Sequence, residues 1–399
     1  MTSEPVQKTE PKLPRRDWVL LPLLSLLTIF LLFTSVEMAS RRIFRESQRT
    51  FANCLMLHDA TTGVRGIPGC TFHQSDREAG TIDYQLDSRG YRNEKDLQPK
   101  QPGVLRIVMT GSSIALGEQV DRQHSLATLL PSELSQQTGR SVELYNEGMG
   151  YGFSHNTALR FRDVLSAQPD MVLWILTPYD VQNASQVLPL DLVAWTQQRF
   201  TDKIKGRIQS YFGSGSVSVA ASELLGRTRT AYALRFFFYR SPSAFVKSYL
   251  AGADTEEGFL RAQPSPFWVR NFKQVDADAK DIEARAAKAG VPFVAVYLPN
   301  HAQTEMLSSG QWPAGYDPYR IDQQLRTIIT SHGGIFLDIL PGVHDATDTN
   351  EDFLPVDGHP NALGHALFAR LIAQQLTSGV IPDLAAGKQG IDASAMRKK

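Results

Sequence analysis

Three residue types in this chain, widely separated, could together perform acyl transfer. Ser113 follows the apolar run Leu105-Arg106-Ile107-Val108-Met109-Thr110-Gly111, and Asp357-Gly358-His359 lies near the other end. A serine hydroxyl is a weak nucleophile alone. It needs a base to take its proton, an acid to orient that base, and donors for the oxyanion that forms. His359 supplies the base, and Asp357 would fix its tautomer and steady the imidazolium. Alone, Gly111-Ser112-Ser113 also fits a turn or a helix cap. Likewise, Pro360-Asn361 after His359 fits the start of a helix. His365 falls inside that helix and reads as structural.

Oxyanion donors are sought where the chain turns just past other apolar runs. Asn146-Glu147-Gly148-Met149-Gly150-Tyr151-Gly152 is rich in glycine, which lets backbone N–H groups approach a ligand. Gly150 N–H beside Ser113 N–H would make such a hole; a plain flexible loop fits the same residues. A third run ends in Thr177-Pro178-Tyr179-Asp180, where Tyr179 offers either a phenol O–H or a packing ring. No phosphate loop or dinucleotide fingerprint occurs, and no metal-ligand spacing is complete, so no cofactor or metal is expected.

These residues need strands to deliver them. Candidate strands are Val104–Thr110, Val142–Tyr145, Met171–Thr177, Pro292–Pro299 and Gly334–Leu340. Between them, Ser125–Gln137, Asn156–Ser166, Val275–Lys288 and Tyr319–Ser331 carry apolar residues at helical spacing, and Asn361–Thr377 closes the series. Alternation of this kind implies a parallel sheet covered on both faces, with ligands past the carboxyl ends of the strands. Upstream, Ile82–Leu86 alternates like an edge strand and Asp87-Ser88-Arg89-Gly90-Tyr91-Arg92 reads as a turn. Residues 181–270 interrupt the pattern and read as a helical cap. Between Arg199 and Lys247 nine Lys/Arg face only Asp202 and Glu223, a patch suited to anionic lipid, to a polymer groove, or simply to solvent.

In this order, the serine, glycine loop, strand-end polar site and Asp-x-His resemble the SGNH, or GDSL-like, hydrolases over roughly Tyr84 to Thr377. The resemblance implies an α/β fold: a flavodoxin-like three-layer α/β/α sandwich on five parallel strands. Ser112 stands where the family's first block has aspartate, so the nucleophile carries over to Ser113. Gly150 best matches the second-block glycine, with Gly148 as rival. Tyr179 replaces the oxyanion asparagine. The family's acid and base carry over to Asp357 and His359, with one residue between them rather than two. The implied activity is a serine esterase on an acyl ester, an O-acetyl group of an envelope glycan among the candidates. The alternatives are an O-acyltransferase of an exported polysaccharide, or an inactive relative that binds glycan or a partner.

With 41 Lys/Arg against 41 Asp/Glu among 399 residues, nothing global points to nucleic acid. Trp18–Val36 is apolar, uncharged and long enough to span a bilayer. Lys8, Lys12, Arg15 and Arg16 precede it and Arg41, Arg42, Arg45 and Arg49 follow, so charge alone barely decides orientation. The short N-terminal side favours a retained signal anchor with the bulk outside, in the periplasm. Cys54 and Cys70, the two cysteines, would then meet an oxidising compartment; a disulfide there would stabilise by roughly 3 kcal/mol. Ser40 to Phe51 is expected to continue as a basic amphipathic helix on the membrane surface. The expected organisation is a tail (1–17), the anchor (18–36), a lead-in (37–103), the main domain (104–380) with its cap, and a polar tail (381–399).

Overall fold

The computed structural model describes residues 14, 16–46, 51–56, 63–185, 228–251, 258–346 and 348–385. Among them, five strands form one parallel sheet: β5 (Leu105–Gly111), β6 (Val142–Asn146), β7 (Met171–Leu176), β8 (Phe293–Tyr297) and β9 (Ile335–Leu337), in the order β6-β5-β7-β8-β9. Taken along the chain this is 2-1-3-4-5, the flavodoxin-like order, whose direction reverses between β5 and β7. Every residue of β5, β7 and β8 is buried, which is why these strands read as continuous apolar runs.

Helices cover both faces. One row is α3 (Leu126–Thr138) against α12 (Ala362–Gln375). The other is α4 (Ser154–Ser166), α8 (Pro266–Lys288) and α10 (Arg320–Ser331). The α8 helix begins at Pro266, ahead of the expected Val275. Phe272 and then Trp268 extend the buried stripe of Val275, Ala279 and Ile282 backward, Trp268 lying in the stretch the sequence assigned to the cap. The last strand is shorter than expected, because Pro341 sits in the first turn of a new helix, α11 (Leu340–His344).

Ahead of the sheet stand two small antiparallel pairs: β1 (Leu55–Met56) with β2 (Arg65–Gly66), and β3 (Thr71–Asp76) with β4 (Gly80–Gln85). The expected edge strand at Ile82–Leu86 therefore pairs in its own hairpin instead of joining the main sheet. Cys54 and Cys70 form a disulfide beside this hairpin. The apolar run is part of α1 (Asp17–Ile43), which has a mean hydropathy of 2.5 and no buried residue in its spanning window. The expected surface helix from Ser40 to Phe51 does not form as such. Ser40–Ile43 complete α1, Phe44–Glu46 are not helical, and Phe51–Cys54 make a single 3-10 turn. Of the cap, α6 (Arg229–Phe238) and α7 (Pro242–Leu250) are described, while 186–227 lie outside the described residues.

Candidate active site

Ser113 opens a four-residue helix, α2 (Ser113–Leu116), directly after β5. Gly111 makes that turn possible. Its φ is +146°, and a Cβ there would lie 2.5 Å from Ile175 O of the neighbouring strand. Its hydroxyl meets an imidazole from 246 residues further on: Ser113 Oγ lies 2.9 Å from His359 Nε2. On the far side of the ring, Nδ1 lies 2.5 Å from Asp357 Oδ1. With the carboxylate at Nδ1, the neutral ring keeps its proton there and turns a bare Nε2 toward the serine.

One intervening residue brings acid and base together because it is Gly358, in the left-handed region at φ +85°. The chain curls over it, closed by Gly358 N–H donating to Leu354 O (2.8 Å) and Leu354 N–H donating to His359 O (2.9 Å). No neighbour lies within 4 Å of a Cβ built at Gly358, so backbone conformation alone calls for glycine here.

The loop is also held from outside. Glu78, in the turn of the β3–β4 hairpin, accepts from Val356 N–H (3.0 Å) and Asp357 N–H (2.8 Å). Burial raises the Glu78 pKa, and these two amides pull it back. Sequence reasoning missed Glu78. The pairing of β3 with β4 could have shown a tight turn at Asp76–Gly80, but not what it touches.

Burial alone would push the His359 imidazole down. The Asp357 carboxylate more than reverses this, and with Glu118 and Asp76 it lifts the pKa to about 9. Burial works against Asp357 too, yet the imidazole beside it holds it below the usual carboxylate range. The side chains of His359 and Asp357 remain 23% and 29% exposed, so the pair opens to solvent on one side.

The glycine loop lies against α2. A Cβ on Gly148 would meet Ala115 and the Leu116 amide at 2.6 Å, and Gly148 N–H donates to Asn146 Oδ1 (2.9 Å). Asn146 Nδ2 in turn donates to Ala115 O (2.8 Å), tying the loop to the helix that starts at Ser113. Gly148 N–H is therefore occupied. Gly150 sits in a turn closed by Gly152 N–H to Met149 O (2.7 Å), and Tyr151 is forced to φ +60°. A tyrosine at the third position of such a turn stores strain. Gly150 N–H and Ser113 N–H, the latter in the first turn of α2, are left without a backbone carbonyl among the described residues.

At the end of β7 the inward residue is Asp180, in α5 (Pro178–Gln182). Its carboxylate accepts from Ser112 Oγ (2.9 Å), Thr177 N–H (2.9 Å) and Thr177 Oγ1 (2.5 Å), and burial raises its pKa to about 7. Ser112 thus fastens the residue before the nucleophile to the adjacent strand. Tyr179 points outward, 41% exposed, and lines a cavity of about 230 Å³ with Tyr239, Tyr249, Asn300, Asp357 and Gly358. Two larger cavities, about 510 Å³ between α7 and α9 (His301–Ser309) and about 640 Å³ beside Leu105 and Asp170, contain none of Ser113, His359 or Asp357. His365 is buried, accepts from Leu126 N–H at 3.1 Å, and is pushed to about 3 by burial.

No family model matches this chain, and no curated protein does. Solved structures resemble it in outline. TesA aligns at 12% identity over 68% of this chain and 98% of its own, with a TM-score of 0.36. The lipase/acylhydrolase from Enterococcus faecalis aligns at 12% identity over 68% and 95%, also at 0.36. The psychrotrophic esterase EstA from Pseudoalteromonas sp. aligns at 11% identity over 68% and 97%, again at 0.36.

Proposed function

We propose that this chain is a serine ester hydrolase held at a membrane by α1. The carrying observation is the unbroken line from Asp357 Oδ1 through both ring nitrogens of His359 to Ser113 Oγ. In this reading Ser113 Oγ attacks the acyl carbon of the ester while its proton passes to His359 Nε2. The oxyanion is met by the N–H groups of Ser113 and Gly150. Collapse expels the alcohol, which leaves with that proton, and the acyl group stays on Ser113. Water then attacks, gives its proton to His359, and the acid departs as the serine takes the proton back.

The proposed substrate is an acyl ester, with an O-acetyl group on an envelope glycan as the form to offer first. The tyrosines and Asn300 around the cavity suit a sugar ring, with flat apolar faces beside hydrogen-bonding groups. Ser112 and Tyr179, where the resembling family has other residues, leave backbone donors to do most of the oxyanion work.

The test is labelling of the full-length protein in detergent with a fluorophosphonate probe, followed by acetate release from acetylated glycan. Labelling should be lost in both Ser113→Ala and His359→Ala. No labelling of the parent protein, under conditions where a control esterase reacts, would leave a binding protein instead. Acetate appearing on an added sugar rather than in water would make the reaction a transfer.

A further inference from the structure

The turn Asp87-Ser88-Arg89-Gly90-Tyr91-Arg92, with Asn93 after it, has no part in the chemistry described so far. Yet its side chains run to both pieces of backbone that carry the oxyanion donors. Asp87 first closes the turn on itself. Its Oδ1 accepts from Arg89 N–H (2.9 Å) and Tyr91 N–H (2.9 Å), and its Oδ2 accepts from Asn93 Nδ2 (2.9 Å). That last bond fixes which way the Asn93 carboxamide points, since a carboxylate only accepts. The Asn93 oxygen is therefore the atom that meets Asn146 N–H (2.8 Å), and its nitrogen also lies 3.3 Å from Asn146 O. Asn146 ends β6, and β6 is an outer strand of the sheet. Asn93 thus pairs with that free edge as a peptide of a further strand would. Asp87, Asn93 and Asn146 are all buried.

The side chain of Asn146 carries the grip further. One carboxamide spans the glycine loop and α2, accepting from Gly148 N–H and donating to Ala115 O. Two arginines of the turn reach the same two pieces. Arg89 lies 2.8 Å from Oε1 of Glu147, the residue before Gly148. Arg92 donates to Gly117 O, at the end of α2, and to Val120 O (2.9 Å). Ser113 N–H belongs to α2 and Gly150 N–H to the loop. The loop is also bonded to β5, by Glu147 N–H to Met109 O (2.7 Å) and Met149 N–H to Gly111 O (3.0 Å). Those bonds tie it to the strand, whereas the Asn146 carboxamide ties it to α2.

We infer that Asn93 is a positioning residue for the oxyanion hole: by holding the backbone of Asn146 it keeps Gly150 N–H and Ser113 N–H at the spacing one oxygen requires. Its effect falls on the transition state, where charge develops on that oxygen, and not on binding of the neutral ester. The inference rests on the ester hydrolysis proposed above and gives Asn93 no contact with the substrate.

The full-length protein in detergent is assayed on p-nitrophenyl acetate and on its thiono analogue, in which sulfur replaces the carbonyl oxygen. Sulfur is larger and a poorer hydrogen-bond acceptor. A preference for the oxygen ester, measured against that of hydroxide, therefore reports a working hole, while loss of folded enzyme lowers both rates alike. Asn93→Ala should cut kcat on the oxygen ester about 10²-fold, leave KM within about twofold, and shrink the oxygen-over-sulfur preference at least about tenfold. Asn93→Asp sets a second carboxylate against Asp87 and should do the same. Adding Asp87→Asn to Asn93→Asp lets residue 87 donate to residue 93 and restores the link with its direction reversed. That double variant should recover both kcat and preference to within about threefold of the parent. Should Asn93→Ala not fold, the aspartate pair decides by the same readouts. A preference unchanged in the single variants, whatever their Tm, overturns the inference and leaves Asn93 a structural residue. A double variant no better than Asn93→Asp alone overturns it too. A parent protein that hydrolyses neither ester overturns the hydrolysis reading, and this inference with it.

Discussion

At the scale of single residues, the site is governed by the charge on His359. An imidazole lifted to about 9 is protonated at neutral pH and cannot take the serine's proton. The rate should therefore follow its neutral fraction: kcat/KM on a soluble ester should climb nearly tenfold per pH unit and level off near pH 9. A profile already flat above pH 7 would mean that the ring titrates well below that raised value. The linked stability runs the other way. A folded pKa raised above the free value gives stabilisation that is full below about pH 6.5 and is lost as pH rises through about 9. Removing the carboxylate that raises it, Asp357→Asn, should move the rising limb to lower pH and cut kcat by about 10⁴, since the tautomer is no longer fixed. Glu78→Gln should retain the bonded nitrogens and acid of His359 but lose one of two amide acceptors. We expect kcat to fall with KM little changed, at about 1 kcal/mol in stability by thermal melting. A raised KM at unchanged kcat would assign Glu78 to binding. Ser113, His359 and Asp357 were legible because each follows a signal local in sequence: a strand end, a glycine turn, a helix start. Glu78 was not, because its partners lie 278 and 279 positions away and its own neighbours, Arg77 and Ala79, give no sign of them.

At the scale of elements, the turns that present these residues depend on backbone freedom. Gly358→Ala places a Cβ in open space but in a left-handed conformation, at a cost of about 1–2 kcal/mol, visible as a lower Tm. Gly148→Ala should be worse, since its Cβ would strike the backbone of α2 and push Ser113 out of line; activity should drop before stability does. If Gly148→Ala is as active as the parent, the loop is not gripped by α2 as the geometry indicates. The parallel strands were legible from their apolar runs because central strands of such a sheet are buried on both sides. Boundaries failed where a second signal competed. Pro341 cut β9 short, and the first turn of α8 was credited to the cap because Trp268 shares the cap's aromatic composition. The hairpin strand β4 was seen as a strand but not as one outside the main sheet, since period-two alternation names a face and not a neighbour.

At the scale of the whole molecule, the segment ahead of the sheet works as a brace. The ring of Tyr232 on α6 lies under Arg77 (4.8 Å), and its hydroxyl bonds Glu78. Arg77 and Arg229 share Glu46 just past α1, at 2.5 and 2.9 Å. The end of α1, the hairpin, the cap helix and the acid loop are thus joined through a few polar contacts, none of which periodicity can reveal. Cys70 precedes β3, and its bond to Cys54 closes the other end of the hairpin. Reducing that bond in the folded protein should lower Tm by several degrees, in line with roughly 3 kcal/mol for a loop of this size. An unchanged Tm would mean the brace holds without it.

The clasp formed by Glu78 sets a lower bound on how much of the chain can be cut away. A fragment trimmed to the first strand of the sheet would keep Ser113, His359 and Asp357 and still lose the grip that aims one of them. The shortest piece expected to turn over an ester begins before Cys54, although Ser113, His359 and Asp357 all lie beyond Leu105.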